Sequence, residues 1–370
     1  MGRTKVFAAY LPQYHVTEDN NMFWGKGYTD WEGVKNAKPL FEEHEQPRVP
    51  LNNNYYDLSN FKSIDWQVKL AREYGIDGFN IYHYWFKDGK QELEKPAEIL
   101  LAHPELEINY FFTWDNSAWR RSWSNVQGND WAPLFERAST KQTIESSVLV
   151  EFEYGDESQW NKHFQYLLPF FKDTRYLKLD NKPVFAFMTT FDHRLLAQMA
   201  RYWNVLARKY GFDGMYLMSQ RSFFREKIHL DNTFIYEPIT SAWGKRKAWQ
   251  EKAKKYLHIE IKNDGPARYV YEYDKVWKRI LENTIATDCI HGCFVRYDDT
   301  PRRGKNAGII INETPEKFQN YFKQFYRICS EKKDPFVLIT AWNEWGEGAY
   351  LEPDQTSQLS YLERLSDVLK

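Results

Sequence analysis

Hydrophobic positions along the chain gather into eight short runs: Val6–Leu11, Gly78–Tyr84, Ile108–Trp114, Val184–Thr189, Gly214–Ser219, Thr233–Tyr236, Gly292–Tyr297 and Phe336–Ala341. Their β-branched and aromatic residues show little polar alternation, as in strands of a parallel sheet covered on both faces. Between them, apolar residues recur at helical spacing over Ile64–Tyr74, Glu92–Ala102, Gln159–Lys172, Arg194–Tyr210, Tyr271–Asn283 and Glu316–Lys332, which predicts amphipathic helices. Alternating β and α elements imply a parallel sheet. Eight such units in 370 residues predict one domain, residues 1–370, folded as a (β/α)8 TIM barrel with long βα loops. An open doubly wound sheet fits less well. Its phosphate loop is missing, since the first strand continues into Pro12-Gln13-Tyr14-His15 rather than a glycine-rich turn.

A partial repeat supports the alternation. Ala71-Arg72-Glu73-Tyr74-Gly75-Ile76-Asp77-Gly78-Phe79 and Ala207-Arg208-Lys209-Tyr210-Gly211-Phe212-Asp213-Gly214-Met215 read as the same joint. In each, a helix ends at a glycine, as C-cap chemistry prefers, and a second glycine opens a strand.

In such a barrel the working groups lie beyond the C-terminal ends of the strands. Polar and aromatic residues crowd there: Tyr10, Gln13, Tyr14 and His15 at the first strand, His83, Tyr84 and Trp85 after the second, and Trp114, Asp115 and Asn116 after the third, with Trp119 and Trp123 behind. Tyr236 and Glu237 close the sixth strand. The eighth leads into Ala341-Trp342-Asn343-Glu344-Trp345-Gly346-Glu347-Gly348, two carboxylates and two indoles at the mouth of a buried strand. Trp31 joins the aromatic set. Long loops at Ser117–Gln159 and Ile239–Val270 would wall a cleft.

Composition sharpens this picture. Aromatic residues make up 18% of the chain, with 15 Trp and 25 Tyr, more than a core of this size requires. Flat rings with one polar handle suit the apolar C–H faces of sugars. Fifty Lys and Arg against 51 Asp and Glu give a net charge of -1, which argues against nucleic acid as a partner. Three cysteines, Cys289, Cys293 and Cys329, are too few and wrongly spaced for a disulfide framework or a zinc knuckle. The nine histidines show no metal-binding spacing, so neither metal nor cofactor is expected. The apolar stretch after the basic start is too short for a secretory leader, and no run is long enough to span a bilayer. A cytoplasmic protein acting on an oligosaccharide or polysaccharide is therefore expected.

The segments Tyr10-Leu11-Pro12-Gln13-Tyr14-His15, Gly25-x-Gly27-Tyr28-Thr29-Asp30-Trp31, Gly75-Ile76-Asp77-Gly78-Phe79, Phe112-Thr113-Trp114-Asp115-Asn116 and Trp342-Asn343-Glu344-Trp345-Gly346-Glu347-Gly348 resemble the WbsX-like family. That family is related to glycoside hydrolase family 99, the endo-α-mannosidases and endo-α-mannanases. The resemblance implies a retaining glycosidase in which Glu344 deprotonates a sugar 2-hydroxyl, forming a 1,2-anhydro sugar, while Glu347 protonates the leaving oxygen. It also implies that Gly346 replaces a histidine common in family 99. Trp31, Trp85, Trp114 and Trp119 would be stacking platforms, and His83, Asp115 and Asn116 readers of hydroxyls, with Trp345 as an apolar wall. WbsX-like proteins are also described as glycosyltransferases of surface-polysaccharide gene clusters. Nucleotide-sugar transferases usually carry a spaced Asp-x-Asp clamp, whereas Asp298-Asp299 is adjacent. A non-catalytic sugar-binding protein is the third reading, and retention of both glutamates counts against it.

Overall fold

The computed structural model describes residues 3–120, 148–190, 192–220, 228–243, 267 and 269–370. Trp123 and the basic run Lys245-Arg246-Lys247 lie outside these residues. All eight predicted strands form: β1 (Lys5–Tyr10), β2 (Gly78–Trp85), β3 (Asn109–Trp114), β4 (Lys182–Phe187), β5 (Tyr216–Ser219), β6 (Asn232–Thr233), β7 (Gly292–Phe294) and β8 (Phe336–Thr340). They pair in the order β6-β5-β4-β3-β2-β1-β8-β7, every pair parallel. Two short strands, Gln91–Glu92 and Lys178–Leu179, join antiparallel to β2 and β4, so the curled sheet is mostly parallel. Its two ends meet at a single parallel bridge, Phe234 to Ile290, rather than along a ladder. There Gly292 is obligatory in practice, because a Cβ on it would lie 1.9 Å from the Ile235 carbonyl oxygen.

Among the described residues, seven longer helices accompany the strands: α1 (Phe61–Glu73), α2 (Lys95–Ala102), α3 (Glu157–Lys172), α4 (His193–Lys209), α5 (Tyr273–Ala286), α6 (Pro315–Glu331) and α7 (Ser360–Leu369). Their starts are written in local chemistry. Asn60, Asp156 and Thr314 each accept a backbone N–H of the first turn, satisfying donors that the helix leaves free. The repeated joint ends α1 and α4 with Gly75 and Gly211 at φ of +89° and +92°, a conformation that costs an L side chain about 1–2 kcal/mol.

Helices pack on the outer face of the sheet through aromatic layers. Phe185 of β4 meets Trp203 of α4 edge-on at 5.1 Å, and Trp277 of α5 stacks on Phe294 of β7 at 5.6 Å. Because strand side chains alternate, one parity of each strand faces these helices and the other faces the interior. That parity decides which predicted residues reach the site.

Candidate active site

The loop after β8 begins with a clamp. Asn343 is fully buried, accepts the Leu11 N–H at 2.8 Å and donates to the Leu11 carbonyl at 2.9 Å. The side chain thus imitates a strand and ties the end of β8 to the end of β1. Glu344 follows, 2% exposed, and Glu347 lies one turn later in a short 3-10 helix, Trp345–Glu347. Gly348 closes that turn at φ +55°, against the backbone of Asp298.

Both glutamates converge on one guanidinium. Arg302 places Nη2 2.8 Å from Glu344 Oε1 and Nη1 3.2 Å from Glu347 Oε1. Its Nη2 also donates to Asp30 Oδ2 at 2.8 Å and to Gln13 Oε1 at 2.9 Å. The Glu344 contact is an ion pair out of hydrogen-bond alignment, so Oε1 has no aligned donor. Burial pushes the Glu344 carboxyl well above the ordinary carboxylate range; Arg302 pulls it down, while Glu347 and Asp30 push it up. Phenols complete the surround. Tyr14 accepts the Trp345 N–H at 3.0 Å, and the charges of both glutamates act on Tyr82 and Tyr236.

Arg302, Gly346, Gln13 and Asp30 form one wall of a cleft of about 840 Å³, counted with the solvent open to it. Trp24, Tyr28, Tyr84 and Trp119 give the cleft aromatic surface, and Asn20 adds an amide. Among the sequence-selected residues, Gln13 and Trp119 line the cleft, while Glu344 and Glu347 join it through Arg302 and their charges act on Tyr236. Asp115 is buried beside the Tyr82 and Tyr84 phenols, whose protons its charge helps retain, and accepts the Ser117 hydroxyl at 2.6 Å.

The other selected residues make packing and hydrogen-bond contacts of their own. Tyr10 points to α1, donating to Gln67 Oε1 at 2.7 Å. His83 meets His163 of α3 at 2.8 Å, and Trp85 stacks flat on that imidazole at 4.4 Å. Trp114 packs edge-on against the same ring at 4.7 Å and donates to the Trp85 carbonyl. These four have the outward parity. Their inward neighbours on β2, Tyr82 and Tyr84, reach the site instead. His15 is buried at 3% exposure, and that burial lowers its pKa. Trp31 donates to the Tyr56 carbonyl at 2.8 Å. Asn116 spans Tyr154 and Thr189. Glu237 accepts the Ser241 hydroxyl and N–H at 2.6 and 2.9 Å. Trp345 stacks on Tyr350 at 3.7 Å and donates to Glu352 Oε2 at 2.7 Å, so it supports the loop from below rather than walling the cleft.

Sequence reasoning missed Arg302 and Tyr82, and it quoted Asp30 and Tyr84 without giving either a role. Asp298 and Asp299, dismissed as a metal clamp, prove to be pegs for the Arg302 turn. Asp298 accepts the Thr300 N–H and hydroxyl, and Asp299 accepts the Gly308 N–H at 2.6 Å.

The sequence matches the family described as "Glycosyltransferase WbsX" over residues 6–365. The chain belongs to the WbsX family. Its curated relatives include "Uncharacterized protein WxcX" of Xanthomonas campestris pv. campestris (strain B100), 26% identical over 372 residues, covering 98% of this chain and 49% of that protein. The WbsX chain thus spans about half the length of the curated relatives it matches. Similar solved structures include a GH99 endo-alpha-mannosidase from Bacteroides thetaiotaomicron, with a TM-score of 0.56, 12% identity and coverage of 98% and 96% of the two chains. Another, described as "Glycoside hydrolase-like protein", has a TM-score of 0.56, 14% identity and coverage of 100% and 95%. At these identities the likeness is one of fold. Among the described residues of this WbsX protein, no helix is long and apolar enough to cross a membrane.

Proposed function

We propose that this WbsX protein is a single-domain (β/α)8 barrel that cleaves glycosidic bonds in α-linked, mannose-type glycans or a bacterial surface polysaccharide, with retention. The observation that carries this reading is the convergence of Glu344 and Glu347 on Arg302 beside an aromatic cleft. The endo-alpha-mannosidase named among the similar structures suggests the mannose-type substrate, and the chemistry is the one implied by the resemblance to glycoside hydrolase family 99.

In the first step Glu344 takes the proton of the sugar 2-hydroxyl, and that oxygen attacks C1. The C1–O bond to the leaving group breaks, and Glu347 protonates the departing oxygen. In the second step Glu347 takes a proton from water, whose oxygen opens the 1,2-anhydro ring at C1. Glu344 returns its proton to O2. A desolvated carboxylate suits the first role, since burial raises its proton affinity. Neither carboxylate bonds to carbon, in contrast to the common two-carboxylate retaining scheme. No cofactor enters either step.

The cleft also favours a neutral sugar. Arg302 is the one cation among its described lining residues, and Asp30, Glu344 and Glu347 already share it. An anionic sugar would meet an excess of carboxylates.

Glycosyl transfer is the second reading, favoured by the family's description. An acceptor hydroxyl in place of water would give it without new groups. The test is a panel of α-mannans and bacterial O-polysaccharides, assayed for new reducing ends, run beside nucleotide sugars with oligosaccharide acceptors. Reducing ends from a polysaccharide support hydrolysis; turnover of a nucleotide sugar alone would replace it with transfer.

A further inference from the structure

Resting on the reading of Glu344 and Glu347 as the working pair, we propose that Arg302 is the positioning residue that sets their geometry, and that Gly346 is glycine because the guanidinium occupies the space a side chain there would fill. Four observations meet at this point. Among the described residues Arg302 is the one cation in direct ion-pair contact with either glutamate, and its two terminal nitrogens take one each. It also donates to Asp30 and Gln13, so a single planar group joins the loops after β1, β7 and β8. A Cβ on Gly346 would lie 2.6 Å from Arg302 Nε and 3.0 Å from Cζ. Finally, Gly346 has no left-handed φ, so its backbone alone would tolerate alanine.

The planar fork matters. A guanidinium presents two N–H edges in fixed relation, which an ammonium cannot do. Holding Glu344 and Glu347 on neighbouring nitrogens fixes the spacing between base and acid before substrate arrives, and misplacing a reacting group by about 1 Å can cost on the order of 10²-fold in rate. Arg302 also opposes the burial that drives Glu344 toward its neutral form. The other charges on Glu344, those of Glu347 and Asp30, push the same way as burial, and the phenols of Tyr14, Tyr82, Tyr84 and Tyr236 surround it.

The test is a double-substitution cycle at 302 and 346, read two ways. The first reading is kcat/KM against pH on the polysaccharide that wild type cleaves. Arg302→Gln is expected to lower kcat by about 10²-fold and to move the acidic limb to higher pH. Arg302→Lys should restore the limb more than the rate. Gly346→Ala should reproduce Arg302→Gln, yet add little when Arg302 is already Gln. The second reading needs no activity: the ionisation of Glu344 followed by 13C NMR of [13Cδ]glutamate-labelled protein, with the resonance assigned through Glu344→Gln. Its titration should rise in Arg302→Gln and in Gly346→Ala alike. Melting curves check that each variant is folded, and Arg302→Lys carries the test if Arg302→Gln is not.

If Gly346→Ala costs the same with and without Arg302, or if the Glu344 titration stays unchanged in Arg302→Gln, the proposal is overturned. If the titration shifts as expected in a protein that cleaves nothing, Arg302 keeps its positioning role and the glycosidase reading falls instead.

Discussion

Asn343 stands in the signature that resembles a glycosidase site, and the structure gives it a different task. Replacing it with alanine removes one acceptor and one donor from Leu11, whose N–H and carbonyl are otherwise held at 2.8 and 2.9 Å by the amide. Asn343 is 0% and Leu11 5% exposed, so water does not take over both bonds. Each buried group left unpaired costs about 1–3 kcal/mol, which gives about 2–6 kcal/mol for the pair. Unfolding entropy of about 2.1 cal/mol/K per residue over 370 residues converts each kcal/mol into about 1.3 °C. Asn343→Ala should therefore lower Tm by about 3–8 °C in a calorimetric or circular-dichroism melt. Activity should fall with it, because Glu344 is the next residue. A variant with wild-type Tm and a raised KM would refute the clamp and return Asn343 to the substrate.

Three further outcomes follow from the same structure. Burial pushes Glu237 up to about 7 from an unfolded value of 4.5, so the native state holds its proton more tightly. Its stabilising share of about 3 kcal/mol is full below pH 4.5 and is lost as pH rises through 7; Glu237→Gln should flatten the urea-unfolding free energy between pH 5 and 7, and an unchanged slope would contradict this. Trp119 lines the cleft, and Trp119→Ala should raise KM about 2- to 10-fold, the worth of one aromatic contact; an unchanged KM places the sugar elsewhere. Gly348→Ala would force φ +55° on an L residue and set its Cβ 2.8 Å from the Asp298 carbonyl oxygen. It should destabilise by at least about 1–2 kcal/mol and lower kcat, whereas a wild-type melt would show the turn to be adaptable.

The sheet was legible because its strands announce themselves: Phe336-Val337-Leu338-Ile339-Thr340 and Gly78 to Trp85 are buried on both faces and carry no competing helical period. Strand ends shifted by up to three residues, and β5, β6 and β7 proved shorter than their apolar runs. The expectation of a closed ring reached only the single bridge between Phe234 and Ile290. The C-terminal helix α7 was missed, although Tyr361, Leu362 and Leu365 face the core at helical spacing.

The site was legible where chemistry is concentrated and hidden where parity decides. Glu344 and Glu347 stand out by composition. On β2, however, Tyr82 and His83 are equally polar, equally aromatic and adjacent; one faces the carboxylates and the other faces α3. A continuous apolar run gives no phase to choose between them, since the alternation that would mark the inner face is absent when both faces are covered. Arg302 was hidden for a related reason. Arg302 and Arg303 share a four-residue helix, and only the fold turns one inward at 15% side-chain exposure while leaving the other at 51% on Asp299.

The most direct measurement of the central claim is kcat for wild type, Glu344→Gln and Glu347→Gln on one cleaved polysaccharide, with binding of that polysaccharide measured in parallel. The account predicts that each isosteric change lowers kcat by about 10²–10⁴-fold while binding stays close to wild type. Equal turnover by all three proteins would contradict it, because the two carboxylates would then have no part in breaking the glycosidic bond.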